Sequence, residues 1–133
     1  MTIVTFDNNN LGFNPLHLMV FELLISILNY NTTQPLMVSN LTLPGYSKGI
    51  AVSGDDIAFV ANDDCGVQIV DVTSDFSPKI IKSLDINGSV YDLKIRNHSI
   101  FVFKRETDLV SFLENDAILM YDISSILNPV FIT

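Results

Sequence analysis

Asp71 and Asp122 each close an apolar run, and each is followed two residues later by a hydroxyl, Thr73 or Ser124. A carboxylate in that place has two chemistries open to it. It accepts hydrogen bonds from the amides of the next turn, as Asp commonly does. Alternatively, two such carboxylates work as an acid/base pair, provided both point into one cleft. Linear order gives no sign of a shared cleft, so the turn reading is preferred. Asp55-Asp56 and Asn62-Asp63-Asp64 are acidic turns. Their oxygens suit Ca²⁺, but the EF-hand loop pattern is absent, and solvated turns are expected. His17 and His98 have no spaced partners for zinc.

Cys65 is the only cysteine, so an intramolecular disulfide and a cysteine-based metal site are excluded. Beside Gly66 it reads as a packed turn residue, the reactive thiol being the alternative. There is no glycine-rich phosphate loop and no serine in a nucleophile elbow. No catalytic residue, metal or cofactor is expected. Two candidate contact regions remain. Leu109, Val110, Phe112 and Leu113 follow the charged run Lys104 to Asp108, and an apolar knob on a charged loop can be a partner contact. The alternative is that these side chains fold back, or that the loop merely lengthens a hairpin. Tyr91 and Asp92 would matter only if their strand lined a channel between several sheets.

The elements that must position these residues are strands. Of the 133 residues, 48% are hydrophobic and 17% charged, which argues against disorder. Ile, Val and Phe favour strands. A net charge of −8 disfavours binding to phosphate backbones, so no nucleic-acid partner is expected. The longest apolar run, Leu16 to Leu28, is too short for a bilayer-spanning helix and is interrupted by His17, Glu22 and Ser26. It also lacks the basic flank of a signal peptide.

A repeat organises the chain. Pro35, Pro78 and Pro129 each follow a polar turn and precede apolar residues, at spacings of 43 and 51. In the first frame Ile50 and Val52 fall on Leu93 and Ile95. Ile57, Ala58, Phe59 and Val60 fall on Ile100, Phe101, Val102 and Phe103. In the second frame Gln68 to Val72 fall on Leu119 to Ile123, and the extra residues make Lys104 to Asp116 an insertion. The expected units are an atypical segment 1–34, repeats at 35–77 and 78–128, and the start of a third at 129–133. Within the first repeat, strands are expected at Leu36–Leu43, Lys48–Val52, Ile57–Ala61 and Val67–Val72. Residues 16–30 admit a helix, with Asn14 and Pro15 at its start. The repeat frame favours strands instead, placing Leu16 to Val20 on Ala58 to Asn62. Runs apolar on both faces need cover on both sides. Four strands recurring every 40 to 45 residues are the signature of stacked four-stranded antiparallel blades, hence an all-β, incomplete, open β-propeller.

Gly49-Ile50-Ala51-Val52-Ser53-Gly54, Ala58-Phe59-Val60-Ala61 and Gly66-Val67-Gln68-Ile69-Val70-Asp71-Val72 resemble the LVIVD-repeat family. The resemblance covers about 100 residues. It implies a propeller-like fold in cell-surface or secreted proteins and brings no catalytic residues. The function expected is a non-catalytic repeat module that binds a protein or glycan. Self-association through uncovered blade faces is also expected. The alternatives are a fragment of a multi-blade hydrolytic enzyme, or a truncated reading frame without activity.

Overall fold

A computed structural model describes residues 2–6, 16–21, 24–29, 36–74, 76–107 and 113–133, with side chains from residue 37 onward except at Thr107. Every regular element in it is a β-strand. β1 (Thr2–Phe6), β2 (Leu16–Phe21), β3 (Leu24–Asn29) and β4 (Leu36–Thr42) form a first sheet. β5 (Gly49–Val52), β6 (Ile57–Ala61), β7 (Val67–Asp71) and β8 (Lys79–Leu84) form a second. β9 (Ser89–Arg96), β10 (Ser99–Thr107), β11 (Glu114–Asp122) and β12 (Val130–Phe131) form a third. All strand pairs are antiparallel and join neighbours in sequence.

The strands favoured for 16–30 are present as β2 and β3, paired from Leu16↔Asn29 to Phe21↔Leu24, in place of the helical alternative. A sheet partner on each side satisfies the backbone groups that a helix would have satisfied internally. The sheets are cut at a different point of the period from the 35–77 frame. Leu36–Thr42 pairs with β3, so it ends the first sheet and does not begin the second. Pro35, Pro78 and Pro129 therefore each stand just before the fourth and outermost strand of a sheet. An edge position tolerates a residue that cannot donate to the ladder.

The second sheet lies between the other two. Ile50, Ala58, Val60, Val70 and Val72 pack on Leu43, Val38 and Leu41 of the first sheet and its outgoing chain. From the opposite face, Ile57, Phe59, Ala61, Val67 and Ile69 pack on Leu93, Ile100, Val102 and Ile123 of the third. This explains why β6 is buried along its whole length. Neighbouring sheets approach along their first strands, β1 to β5 and β5 to β9. Gly49 permits that approach, since a Cβ there would lie 3.2 Å from the Asp92 Cα and 2.9 Å from its carboxylate. Asp63 ties the second sheet to β9 through Asp63 N–H to Val90 O at 3.1 Å and Val90 N–H to Asp63 O at 3.0 Å. The Ser89 hydroxyl also donates to its carboxylate.

The facing of side chains corrects the register read from the sequence. Ile50 and Leu93 face the preceding sheet, as do Val52 and Ile95, which agrees with a shift of 43. In the next strand Ala58 and Val60 do so in the second sheet, and Ile100 and Val102 in the third. That is a shift of 42. The hairpin between β9 and β10 is one residue shorter than that between β5 and β6. A slip of one residue exchanges the two faces of a strand. Phe59 therefore corresponds to Phe101, and Ala61 to Phe103.

Candidate functional site

This correspondence defines an open face. Phe59, Ala61, Val67 and Ile69 of the second sheet are wholly buried beneath the third. Their counterparts in the third sheet are Phe101, Phe103, Ile118 and Met120. The pairing supports this, since Phe103↔Ile118 repeats Ala61↔Val67, and Phe101↔Met120 repeats Phe59↔Ile69. No described strand covers these four. Ile118 is 58% exposed and the two phenylalanines are half-buried. Lys94 stands where the second sheet has Ala51, with Nζ 3.4 Å from the Asp92 carboxylate. Tyr91, 36% exposed, extends the face, its ring centroid 6.5 Å from that of Phe103. The Arg105 guanidinium lies 5.8 Å from the centre of the same ring. Arg105 is also held by Asp116 at 2.8 Å and Glu114 at 3.1 Å. The result is an apolar strip with a neutralised charged border.

Tyr91 and Asp92 are consecutive at a bulge in β9. Tyr91 lies beside Phe103, and Asp92, the cross-strand partner of Phe103 and the ion-pair partner of Lys94, also reaches Gly49 of the second sheet. The insertion resolves into a longer hairpin where it is described, with Lys104↔Ala117 through Thr107↔Glu114 extending the β10–β11 ladder. Leu113 is exposed beside it. Leu109, Val110 and Phe112 lie outside the described residues.

Asp71 and Asp122 each serve their own turn. Asp71 Oδ1 accepts from the Thr73 amide at 2.9 Å and hydroxyl at 2.6 Å. Asp122 Oδ1 accepts from the Ser124 amide at 2.7 Å and hydroxyl at 2.6 Å. These bonds to the ionised form, the hydroxyl's first, hold both carboxyls below their ordinary values. Lys79 adds to this at Asp71 and His98 at Asp122. A carboxyl with a lower pKa in the folded state stabilises that state above the unfolded value of about 3.9. The contribution is lost as pH falls through the folded value. Denaturant midpoints should therefore drop between about pH 5 and about pH 2, and drop less in the Asp71→Asn/Asp122→Asn double variant. Equal acid sensitivity in the two proteins would contradict these roles.

The acidic turn Asn62-Asp63-Asp64 also diverges. Asp63 turns to Ser89 and Lys48, while Asp64 is exposed and accepts from the Cys65 thiol at 3.8 Å. Partial burial and then Asp64 push that thiol up, away from the thiolate. Among the described residues no group of three or more His, Cys, Asp or Glu is placed to hold a metal ion. No described helix is long and apolar enough to cross a membrane.

Asn62 is the polar residue that the sequence reading passed over. It is wholly buried; its Oδ1 accepts from Gly45 N–H at 3.0 Å and its Nδ2 donates to Gly45 O at 2.9 Å. Forty-two residues on, buried Lys104 donates to Asn87 O at 2.8 Å. In both sheets, then, the polar residue that follows the apolar stretch of the second strand anchors the chain entering the first. A polar residue closing each apolar run was the available signal. An open cleft of about 510 Å³ lies at the same end of the third sheet, lined by Asp64, Asp85, Asn87, Ser89, Arg105 and Glu114. Compared with protein-family models and with curated proteins, the chain matches none.

Proposed function

We propose that this chain is a non-catalytic interaction module, three blades of an open β-propeller, that binds a protein partner through the open face of its third sheet. The observation that carries the reading is the pair of equivalent faces. The face formed by Phe59, Ala61, Val67 and Ile69 is buried under a neighbouring sheet, and the one formed by Phe101, Phe103, Ile118 and Met120 has no described neighbour. An exposed, contiguous apolar strip with a polar border is the usual form of a protein contact. The fan of four-stranded sheets converging on β1, β5 and β9 supports the propeller reading. The LVIVD-like motifs extend the proposal to a cell-surface or secreted setting.

A displayed protein library and a glycan array, probed with the wild type and with Ile118→Asp, test it. Protein binders weakened by about 30-fold or more in the variant are expected, the ratio that a hot-spot side chain carries. Binders indifferent to the substitution, binding of glycans alone, or hydrolytic turnover by the purified protein would contradict the reading.

A further inference from the structure

We propose that Asn87-Gly88 is a self-modification site, at which the Gly88 amide nitrogen attacks the Asn87 carboxamide and the Lys104 ammonium directs the product toward isoaspartate. Of all the asparagines in the chain, only Asn87 is followed by glycine. The pair lies in the bend between β8 and β9, with Asn87 exposed and Gly88 at φ of 99°. Glycine has no Cβ to hinder approach to its nitrogen. Among the described residues, none hydrogen-bonds the Asn87 carboxamide and none accepts from the Gly88 N–H. Asn62 is the opposite case, since Gly45 holds both polar atoms of its side chain.

Lys104 supplies the third group. Its side chain is buried, and its Nζ donates to the Asn87 main-chain oxygen at 2.8 Å and to the Glu106 carboxylate. That oxygen belongs to the same peptide unit as the Gly88 nitrogen. When the nitrogen gives up its proton, resonance spreads the negative charge onto the oxygen. A cation already fixed there stabilises the charge as it develops, as donors in an oxyanion hole do. Among the described asparagines, Asn87 alone has a lysine on its carbonyl.

The reaction needs only water. The bond from Gly88 N to Asn87 Cγ forms and the Cγ–Nδ2 bond breaks. Ammonia leaves, and water carries the Gly88 proton to it. The succinimide ring then takes up one water, with no change in oxidation state. Attack at Cγ gives aspartate. Attack at the main-chain carbonyl carbon gives isoaspartate, in which the chain runs through Cβ. Lys104 polarises the second carbonyl, and the carboxylate released there becomes its ion-pair partner. Isoaspartate is therefore the main product. It lengthens the chain entering β9 by one methylene and adds a carboxylate to the cleft that already holds Asp64, Asp85 and Glu114.

Peptide mapping with electron-transfer fragmentation, on protein aged for several weeks in neutral buffer, reads site and product separately. Asn97 is the internal control, exposed at the β9–β10 turn and followed by His98. Asn87 should convert at least about 10-fold faster than Asn97, with isoaspartate exceeding aspartate. Lys104→Met should slow the conversion by about 10-fold, the weight of one charge-assisted hydrogen bond, and lower the ratio of isoaspartate to aspartate. Lys104→Arg keeps a cation and should retain most of both. A lysine that only anchors the chain predicts the reverse, because its loss would loosen the bend and speed cyclisation. Far-UV circular dichroism and a cooperative urea transition show that each variant still folds. No conversion at Asn87, or equal rates at Asn87 and Asn97, would overturn the site. A Lys104→Met rate at or above the wild-type rate, or an unchanged product ratio, would overturn the part given to Lys104.

Discussion

Gly66→Ala should destabilise the protein by about 4 kcal/mol or more, the range reserved for a few named mechanisms. Two of them act at this position. Gly66 has φ of 69°, where an L-residue with a Cβ is strained by about 1–2 kcal/mol. A Cβ there would also lie 2.1 Å from the carbonyl oxygen of Leu84. That oxygen belongs to backbone, in the residue paired with Val67 at the end of the β7–β8 ladder. It cannot swing aside as a side chain would, so the ladder has to open or the turn has to rebuild. Val67 and Leu84 both contribute to the contact with the third sheet, which carries the damage beyond the turn. Gly54→Ala is the matching control, because nothing lies within 4 Å of a Cβ there. It should change stability by no more than about 0.5 kcal/mol. Urea denaturation of the two variants beside the wild type checks the contrast, and equal effects would contradict it.

Asn62→Ala should cost about 3 kcal/mol. The substitution leaves the buried Gly45 N–H and C=O without their partners, and each such group costs about 1–3 kcal/mol. Water has little access, since Gly45 and Asn62 are both buried and a Cβ on Gly45 would meet Cys65 Sγ at 2.8 Å. Asn62→Asp should not rescue stability. It keeps an acceptor for the Gly45 amide but places a carboxylate against the Gly45 carbonyl in a dry site. Lys104→Met removes the corresponding anchor in the third sheet and should cost less, about 1 kcal/mol, because Asn87 is exposed and water can replace the lysine. Thermal or urea midpoints for the three variants give the ranking. A Lys104 variant weaker than the Asn62 variant would contradict it.

How much of this was legible in the sequence depended on range. Turn chemistry is local, and it was legible. Asp71 with Thr73, and Asp122 with Ser124, form the turns their types imply. The recurrence of Gln68 to Val72 at Leu119 to Ile123 was likewise visible, because an aspartate flanked by apolar residues stands at the same place in both. The register of the second strand was less so. Ile57 to Val60 and Ile100 to Phe103 are apolar at every position, so alternation gives no clue to facing, and the slip from 43 to 42 could not be seen. The sheet boundary was hidden for a related reason. A repeat has the same period wherever it is cut, and only the β3–β4 pairing shows where a sheet ends. The open face was least legible of all. Phe101 and Phe103 read as core residues, and whether they are covered depends on a neighbour outside their own strand. Asn62 read as one more polar turn residue beside two aspartates, although its place at the end of an apolar strand set it apart.

The central claim is that the third sheet repeats the covered face of the second and presents it for docking. Hydroxyl-radical footprinting of the dilute protein, read by mass spectrometry, tests this most directly. Phe101, Phe103 and Met120 should be reactive, while Phe59 and Ile69 stay protected. Protection of Phe103 and Met120 equal to that of Phe59, or exposure of Phe59 together with them, would contradict the account.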